Sequence, residues 1–303
     1  MSPSPDESRT DSTSRLGVVV IAHADPVQLA RLLRSLAPLP TVVHCDRRTQ
    51  PAVYSRMQEG APGDVVFARR YATPWGSLAS VRAELWAIRE IIGRPGIRHV
   101  AVLSGSDYPT ARARELSSAL REYEGRSLIY SFPLPYGPWG AHGGLDRFDR
   151  VHWRVGRRDV SLPIARPLPA GLAKAGSAVQ KILSREHASR ILRALDDRPE
   201  IMRHWRRVWL PDETLVASLL HGDDLVCDAH VDLVQESPWY VDWSAGGPSP
   251  KWLDLSDLPA ITRQRSERAA RGGAPLLFVR KVGTRYSGPL LDFIDREWAV
   301  RSD

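Results

Sequence analysis

The chain has 303 residues, 43% hydrophobic and 25% charged, with 42 basic against 35 acidic side chains and a net charge of +7. That composition suits a globular protein with a large core and excludes fibrous and low-complexity classes. No run of about 18 apolar residues occurs, which excludes a transmembrane helix, and two cysteines, Cys45 and Cys227, exclude a disulfide scaffold and fit a reducing compartment.

The segment 1–15 is rich in Ser, Pro, Asp and Thr, without a hydrophobic signal region, and reads as a disordered tail. Residues 16–303 then read as a single α/β domain, with a nucleotide-binding half over 16–132 and an acceptor and catalytic half over 133–303. Gly17 to His23 predicts a buried strand, and Pro26 to Leu36 an amphipathic helix with Leu29, Leu32, Leu33 and Leu36 on one face. Thr41 to Cys45 and Asp64 to Ala68 predict strands, with a short helix at Pro51 to Gln58 between them. Ser77 to Ile92 is a helix with Leu78, Val81, Leu85, Ile88 and Ile92 aligned. Strands are expected at Arg98 to Ser104 and Ser127 to Phe132, flanking a helix near Ala113 to Tyr123. This βαβαβ rhythm predicts a mostly parallel, Rossmann-like sheet, which binds ligands beyond the carboxyl ends of its strands.

From Phe132 to Gly176 the periodicity dissolves into prolines, glycines, Trp139, Trp153 and the basic cluster Arg154-Arg157-Arg158, which reads as a functional loop region. Helices resume near Glu186 to Leu195 and from Glu213 to Leu220. A short β region spans Leu225 to Val241 and leads into the turn-rich Trp243 to Pro248. Pro275 to Val279 predicts a last strand ending in Arg280-Lys281, and Ser287 to Trp298 a closing helix.

The polar residues of interest stand at the strand ends. His23-Ala24-Asp25-Pro26 follows the first strand, and Asp25 suits the N-cap of the next helix. His44-Cys45-Asp46-Arg47-Arg48 follows the second; His-x-Asp could ligate a metal only with further partners. Ser106-Asp107-Tyr108-Pro109 follows the fourth and reads as a turn. Pro211-Asp212-Glu213 opens a helix, where proline and acids serve as cap and dipole partners. The dipole should favour ionised Glu213.

A divalent ion on an Asp-x-Asp would neutralise a leaving diphosphate, but the chain contains no Asp-x-Asp. Arg280-Lys281 could supply that charge instead, or be a solvated pair at a strand end. Only four of the 42 basic residues are lysine, so Lys281 stands out. No nucleophile elbow, Gly-rich phosphate loop, dinucleotide fingerprint or paired-cysteine zinc motif is present. The arginines are dispersed among acids without a like-charge block, which argues against nucleic acid as partner.

In chain order, Ala22-His23-Ala24-Asp25-Pro26, Val43 to Arg48, Trp75-Gly76-Ser77, Leu103-Ser104-Gly105-Ser106-Asp107-Tyr108-Pro109, Pro211-Asp212-Glu213, Asp242-Trp243 and Phe278-Val279-Arg280-Lys281 resemble the motifs of the core-2/I-branching β-1,6-N-acetylglucosaminyltransferase and peptide O-xylosyltransferase family, in a bacterial form. The resemblance covers roughly Gly17 to Phe293. It implies a GT-A fold and inverting transfer of a sugar, GlcNAc or xylose, from a UDP-sugar to an acceptor hydroxyl without metal or other cofactor. It implies Glu213 as catalytic base. His23, Asp46, Trp75, Ser106, Asp107, Arg280 and Lys281 fall on the donor side, with Asp46 near the nucleoside and Arg280 and Lys281 on the diphosphate. Trp139, Asp242 and Trp243 fall on the acceptor side.

One segment departs from the family. Gly176 to Glu186 lacks a Trp-Phe pair and has one residue more than the family spacing, which bears on the acceptor side. Animal relatives are Golgi-anchored, whereas this chain shows no anchor and is expected in a bacterial cytoplasm. The rival reading is a basic α/β protein that binds a nucleotide or nucleic acid without catalysis; it predicts steeply salt-dependent binding and no preference for UDP.

Overall fold

A computed structural model describes residues 15–298 except 156, 157, 165, 224 and 248. The expected tail up to Ser14, and side chains of the Arg154-Arg157-Arg158 cluster, lie outside the described residues. The strands are β1 (Leu16–Ala22), β2 (Thr41–Cys45), β3 (Val66–Phe67), β4 (His99–Ser104), β5 (Asp107–Pro109), β6 (Ser127–Leu128) and β7 (Ser131–Pro133). They continue as β8 (Val151–Val155), β9 (Arg158–Leu162), β10 (Ala175–Ser177), β11 (Lys181–Ser184), β12 (Leu233–Val234), β13 (Trp239–Val241) and β14 (Phe278–Arg280).

The main sheet has the order β12-β6-β11-β4-β1-β2-β3. Strands β1 to β4 are mutually parallel where they pair, β12 is parallel to β6, and β11 runs antiparallel to β4 and β6. The mostly parallel α/β expectation therefore holds. Strand β1 is apolar throughout because it is covered on both faces. Val18 and Val20 pack with Leu29, Leu32 and Leu33, whereas Val19 packs with Val81, Ile88 and Leu215. The first set comes from helix Pro26–Leu36, which opens with Pro26 at its first position and Asp25 as N-cap, accepting from Gln28 N at 3.1 Å. The second face is covered by helices Leu78–Ile92 and Pro211–Leu220.

Several boundaries differ from expectation. Ser127 to Phe132 is not one strand: β6 ends at Leu128, and β7 pairs with β10 in a separate sheet. Asp107-Tyr108-Pro109 is not a turn but β5, paired antiparallel with β14. The stretch 133–176 contains the helix Asp146–Asp149 and the β8–β9 hairpin. The departing segment Gly176 to Glu186 supplies β11, which sits fully buried between β4 and β6. The expected β region at Leu225 to Val241 divides into helix Ala229–Asp232, β12 in the main sheet and β13 in a three-stranded sheet ordered β13-β14-β5. No described helix is long and apolar enough to cross a membrane.

Candidate active site

The polar residues gather at the carboxyl ends of β1, β2 and β4. Asp46, the residue after β2, is buried and held in a fixed orientation. Its Oδ1 accepts from Arg48 N at 2.8 Å, and its Oδ2 accepts from Arg48 Nη2 at 2.7 Å. Burial pushes its pKa up, but these bonds from Arg48 and one from Thr73 N outweigh it and bring the value to about 2. Arg48 also donates to Thr73 O at 3.0 Å, so the Tyr71 to Gly76 loop is tied to β2. His44 is fully buried, and its Nε2 accepts from Tyr71 N at 3.1 Å. Its role is to position the loop. The ring of His23 reaches solvent, yet desolvation lowers its pKa; Lys281, Arg48 and Arg280 push the same way against Asp46. His23, Asp46, Arg280 and Lys281 therefore share one electrostatic neighbourhood.

The β5–β14 pairing explains how residues more than 170 positions apart meet. Its register places Arg280 opposite Asp107. Arg280 Nη1 donates to Asp107 Oδ1 at 2.9 Å and to Ser104 Oγ, while Asp107 Oδ2 accepts from Ser104 N at 2.7 Å. Asp107 is 0% exposed. Its carboxylate aims the guanidinium, and the sequence-based assignment of Asp107 to direct donor contact is corrected to that role. Ser106 closes the same turn, its N donating to Ser104 Oγ at 3.2 Å and its O accepting from Val282 N at 2.8 Å.

Lys281 follows Arg280. Its Nζ donates to Ser249 Oγ at 3.2 Å and stands 4.2 Å from the centre of the Trp252 ring. No carboxylate among the described residues pairs with it. Strand β13 lies parallel to β14, with Val241 opposite Arg280, so Asp242 and Trp243 emerge beside the cation pair. Asp242 Oδ1 accepts from Ser244 N at 2.7 Å and shapes the turn on which Trp243 is 57% exposed. Ser249 and Trp252 were not singled out in the sequence; only the fold shows their contact with Lys281.

Glu213 forms the second group. Its helix, Pro211–Leu220, opens with Pro211 at the first position, as expected. The N-cap is Leu210, in the left-handed region at φ 50°, and Asp212 caps nothing. Glu213 Oε2 accepts from Arg147 Nη2 at 2.9 Å. The Arg147 guanidinium lies 3.7 Å over the Trp139 ring and 5.2 Å from that of Trp209. Trp139 is wedged edge-on against Phe132 at 4.9 Å between ring centres. Gly176 is required beneath it, since a Cβ there would stand 2.3 Å from the indole. Burial raises the Glu213 pKa, with Arg147 opposing it. That runs against the dipole-based expectation, because burial outweighs the Arg147 contacts that favour the ionised form. The result is a stronger base.

Asp212 is half-buried, and its Oδ1 is a buried atom with no hydrogen-bond partner among the described residues. Burial, with Glu213 adding to it, pushes its pKa up to about 6. Behind it lies a buried ion pair, Lys181 Nζ donating to Glu84 Oε1 at 2.8 Å. Lys181 stands opposite Val102 in β4, two residues from that strand's carboxyl end. The Glu213 helix thus starts at the same rim as Arg280. The loop from Tyr71 connects the groups: Gly76 approaches Leu210, and Trp75, 58% exposed, lines a cavity of about 140 Å³ with His152 and Trp209. Trp75, expected on the donor side, lies on the Glu213 side.

Two predictions arise here. Arg147→Met removes the cation that opposes burial at Glu213, so the acid limb of the kcat/KM profile is expected to move to higher pH. For Asp212, a folded pKa of about 6 against an ordinary 3.8 means that this group's contribution to stability is fully present below pH 4 and is lost as pH rises through 6. The difference corresponds to on the order of 3 kcal/mol. Asp212→Asn is accordingly expected to raise Tm at pH 8 relative to wild type and to lose that advantage at pH 4, which thermal unfolding at the two pH values would check.

A mostly parallel α/β sheet with polar and charged side chains gathered at the carboxyl ends of its strands is the layout of a ligand-binding α/β domain. The chain belongs to the Core-2/I-Branching enzyme family, whose sequence profile matches residues 23–264, and is a glycosyltransferase. No curated protein matches it. Among solved structures it is similar to a cytidylyltransferase from Leptospira borgpetersenii serovar Hardjo-bovis, at 12% identity and a TM-score of 0.31 over 59% of this chain and 64% of that one. This chain thus spans less than two thirds of that protein's length. It is also similar to HddC from Yersinia pseudotuberculosis, at 10% identity and a TM-score of 0.28 over 57% of this chain and 78% of that one.

Proposed function

We propose that the protein is an inverting, metal-independent glycosyltransferase that moves a sugar, GlcNAc or xylose, from a UDP-sugar to an acceptor hydroxyl. The observation that carries this reading is the division of charge along one rim. A desolvated carboxylate, Glu213, stands on one side, and two adjacent cations, Arg280 and Lys281, balanced by one buried carboxylate, Asp107, stand on the other. Glu213 takes the proton from the acceptor hydroxyl as its oxygen attacks the anomeric carbon. The bond from that carbon to the diphosphate oxygen breaks, and UDP leaves from the opposite face, so the configuration inverts. Arg280 and Lys281 meet the charge that develops on the leaving diphosphate, the role a divalent ion would otherwise have.

In this reading Asp46 contacts the nucleoside, His23 belongs to the same donor side, and Trp243 offers a flat face to a sugar ring. Trp139 acts through Arg147 by stacking beneath it. Two free thiols, Cys45 and Cys227, support the cytoplasm as the compartment. The test is turnover with UDP-GlcNAc and UDP-xylose across an acceptor panel, with and without added Mn²⁺. UDP release that Mn²⁺ does not stimulate supports the reading. UDP binding without any transfer or hydrolysis would favour the non-catalytic alternative.

A further inference from the structure

One cluster belongs to neither side of this rim. A ring nitrogen of His187, Cys227 Sγ and an Asp232 carboxylate oxygen all lie within 4.8 Å of one another. His187 and Cys227 are buried. The three come from separate elements: the first turn of helix Arg185–Asp197, the segment after the Glu213 helix, and the end of helix Ala229–Asp232.

We propose that these residues form a three-donor zinc site, with His187 Nε2, the Cys227 thiolate and Asp232 as ligands. The donor set selects the ion. Sulfur and imidazole together suit Zn²⁺, whereas Mg²⁺, Ca²⁺ and Mn²⁺ take oxygen ligands. The surroundings already hold the donors in place. Ser127 Oγ lies 2.7 Å from His187 Nδ1 and also accepts from Ser184 N at 2.9 Å, so the ring is oriented through the nitrogen that does not ligate. Asp232 Oδ2 accepts from Asp228 N at 3.0 Å. Binding releases the Cys227 proton to solvent, and three protein donors leave one tetrahedral position to water.

The ion would join the segment that carries β12, the edge strand of the main sheet, to the helix that follows β11. Its role is to fasten that edge, and it takes no part in sugar transfer. The sequence shows no zinc motif because the spacing, one histidine 40 residues before Cys-Asp-Ala-His-Val-Asp, follows no short ligand rule.

The test is metal analysis of the full chain purified without chelator, followed by Co²⁺ titration of the stripped protein. About one equivalent of zinc per chain is expected, and Co²⁺ should produce a thiolate-to-cobalt absorption band. Cys227→Ser should abolish the band, while Cys45→Ser, which alters the other buried thiol, should keep both band and stoichiometry. Wild-type protein with no bound zinc and no cobalt band overturns the proposal, as does a band that survives Cys227→Ser. Neither readout uses activity, so the result is independent of the proposed reaction.

Discussion

Replacing Glu213 with Gln is expected to lower turnover by about 10²–10⁴-fold while leaving UDP affinity within about twofold, because positioned general-base catalysis typically contributes that much. The substitution is close to isosteric. Gln can still accept from Arg147, so the Arg147 stack on Trp139 keeps its partner. What is lost is the capacity to take a proton. Steady-state kinetics and calorimetric titration with UDP would separate the two effects. Unchanged turnover would remove Glu213 from the mechanism, and a parallel loss of UDP affinity would point to a binding role. Arg147→Met is the complementary change, since it keeps the base and removes the cation that opposes burial beside it.

The sheet was legible in the sequence wherever one physical rule acted alone. Strand β1 is apolar along its length because both faces are covered, and helix Pro26–Leu36 shows a cap, a proline and a leucine stripe together. What stayed hidden depended on distant partners. Strand β5 reads as a turn because Asp107-Tyr108-Pro109 has turn chemistry; only pairing with β14 makes it a strand. Strand β11 hides in a segment that departs from the family, and its Lys181 is buried with Glu84, a residue 97 positions away, as its partner. Asp107 illustrates the same limit within the site. Its position at a strand end was readable, but its complete burial under Arg280 was not, and burial is what turns a contact residue into a positioning one. Asp212 likewise reads as a cap because acids suit helix starts, yet its side chain caps nothing and its Oδ1 is a buried atom without a partner.

Lys281→Ala is expected to lower kcat by about 10²–10³-fold, the usual loss when one preorganised charge at a developing anion is removed. The choice of Lys281 over Arg280 follows from what each leaves behind. Truncating Arg280 strands Asp107, a fully buried carboxylate, without its ion-pair partner, a loss that costs about 3–5 kcal/mol of stability. Reduced activity in that variant would not separate chemistry from folding. Lys281 has only the Ser249 hydroxyl and the Trp252 face, and both remain satisfied by solvent or by neighbouring rings when it is truncated. Burial, with Arg280 beside it, lowers the Lys281 pKa, so the free site holds two cations that repel each other. A bound diphosphate relieves that repulsion, and the relief grows as negative charge accumulates on the leaving oxygen. Lys281→Ala should therefore keep its Tm within about 2 °C of wild type. It should lose kcat more than it raises KM for the donor, and added Mn²⁺ should not restore the rate. A loss confined to KM would show that Lys281 binds the ground state alone, and the assignment of leaving-group stabilisation would pass to Arg280.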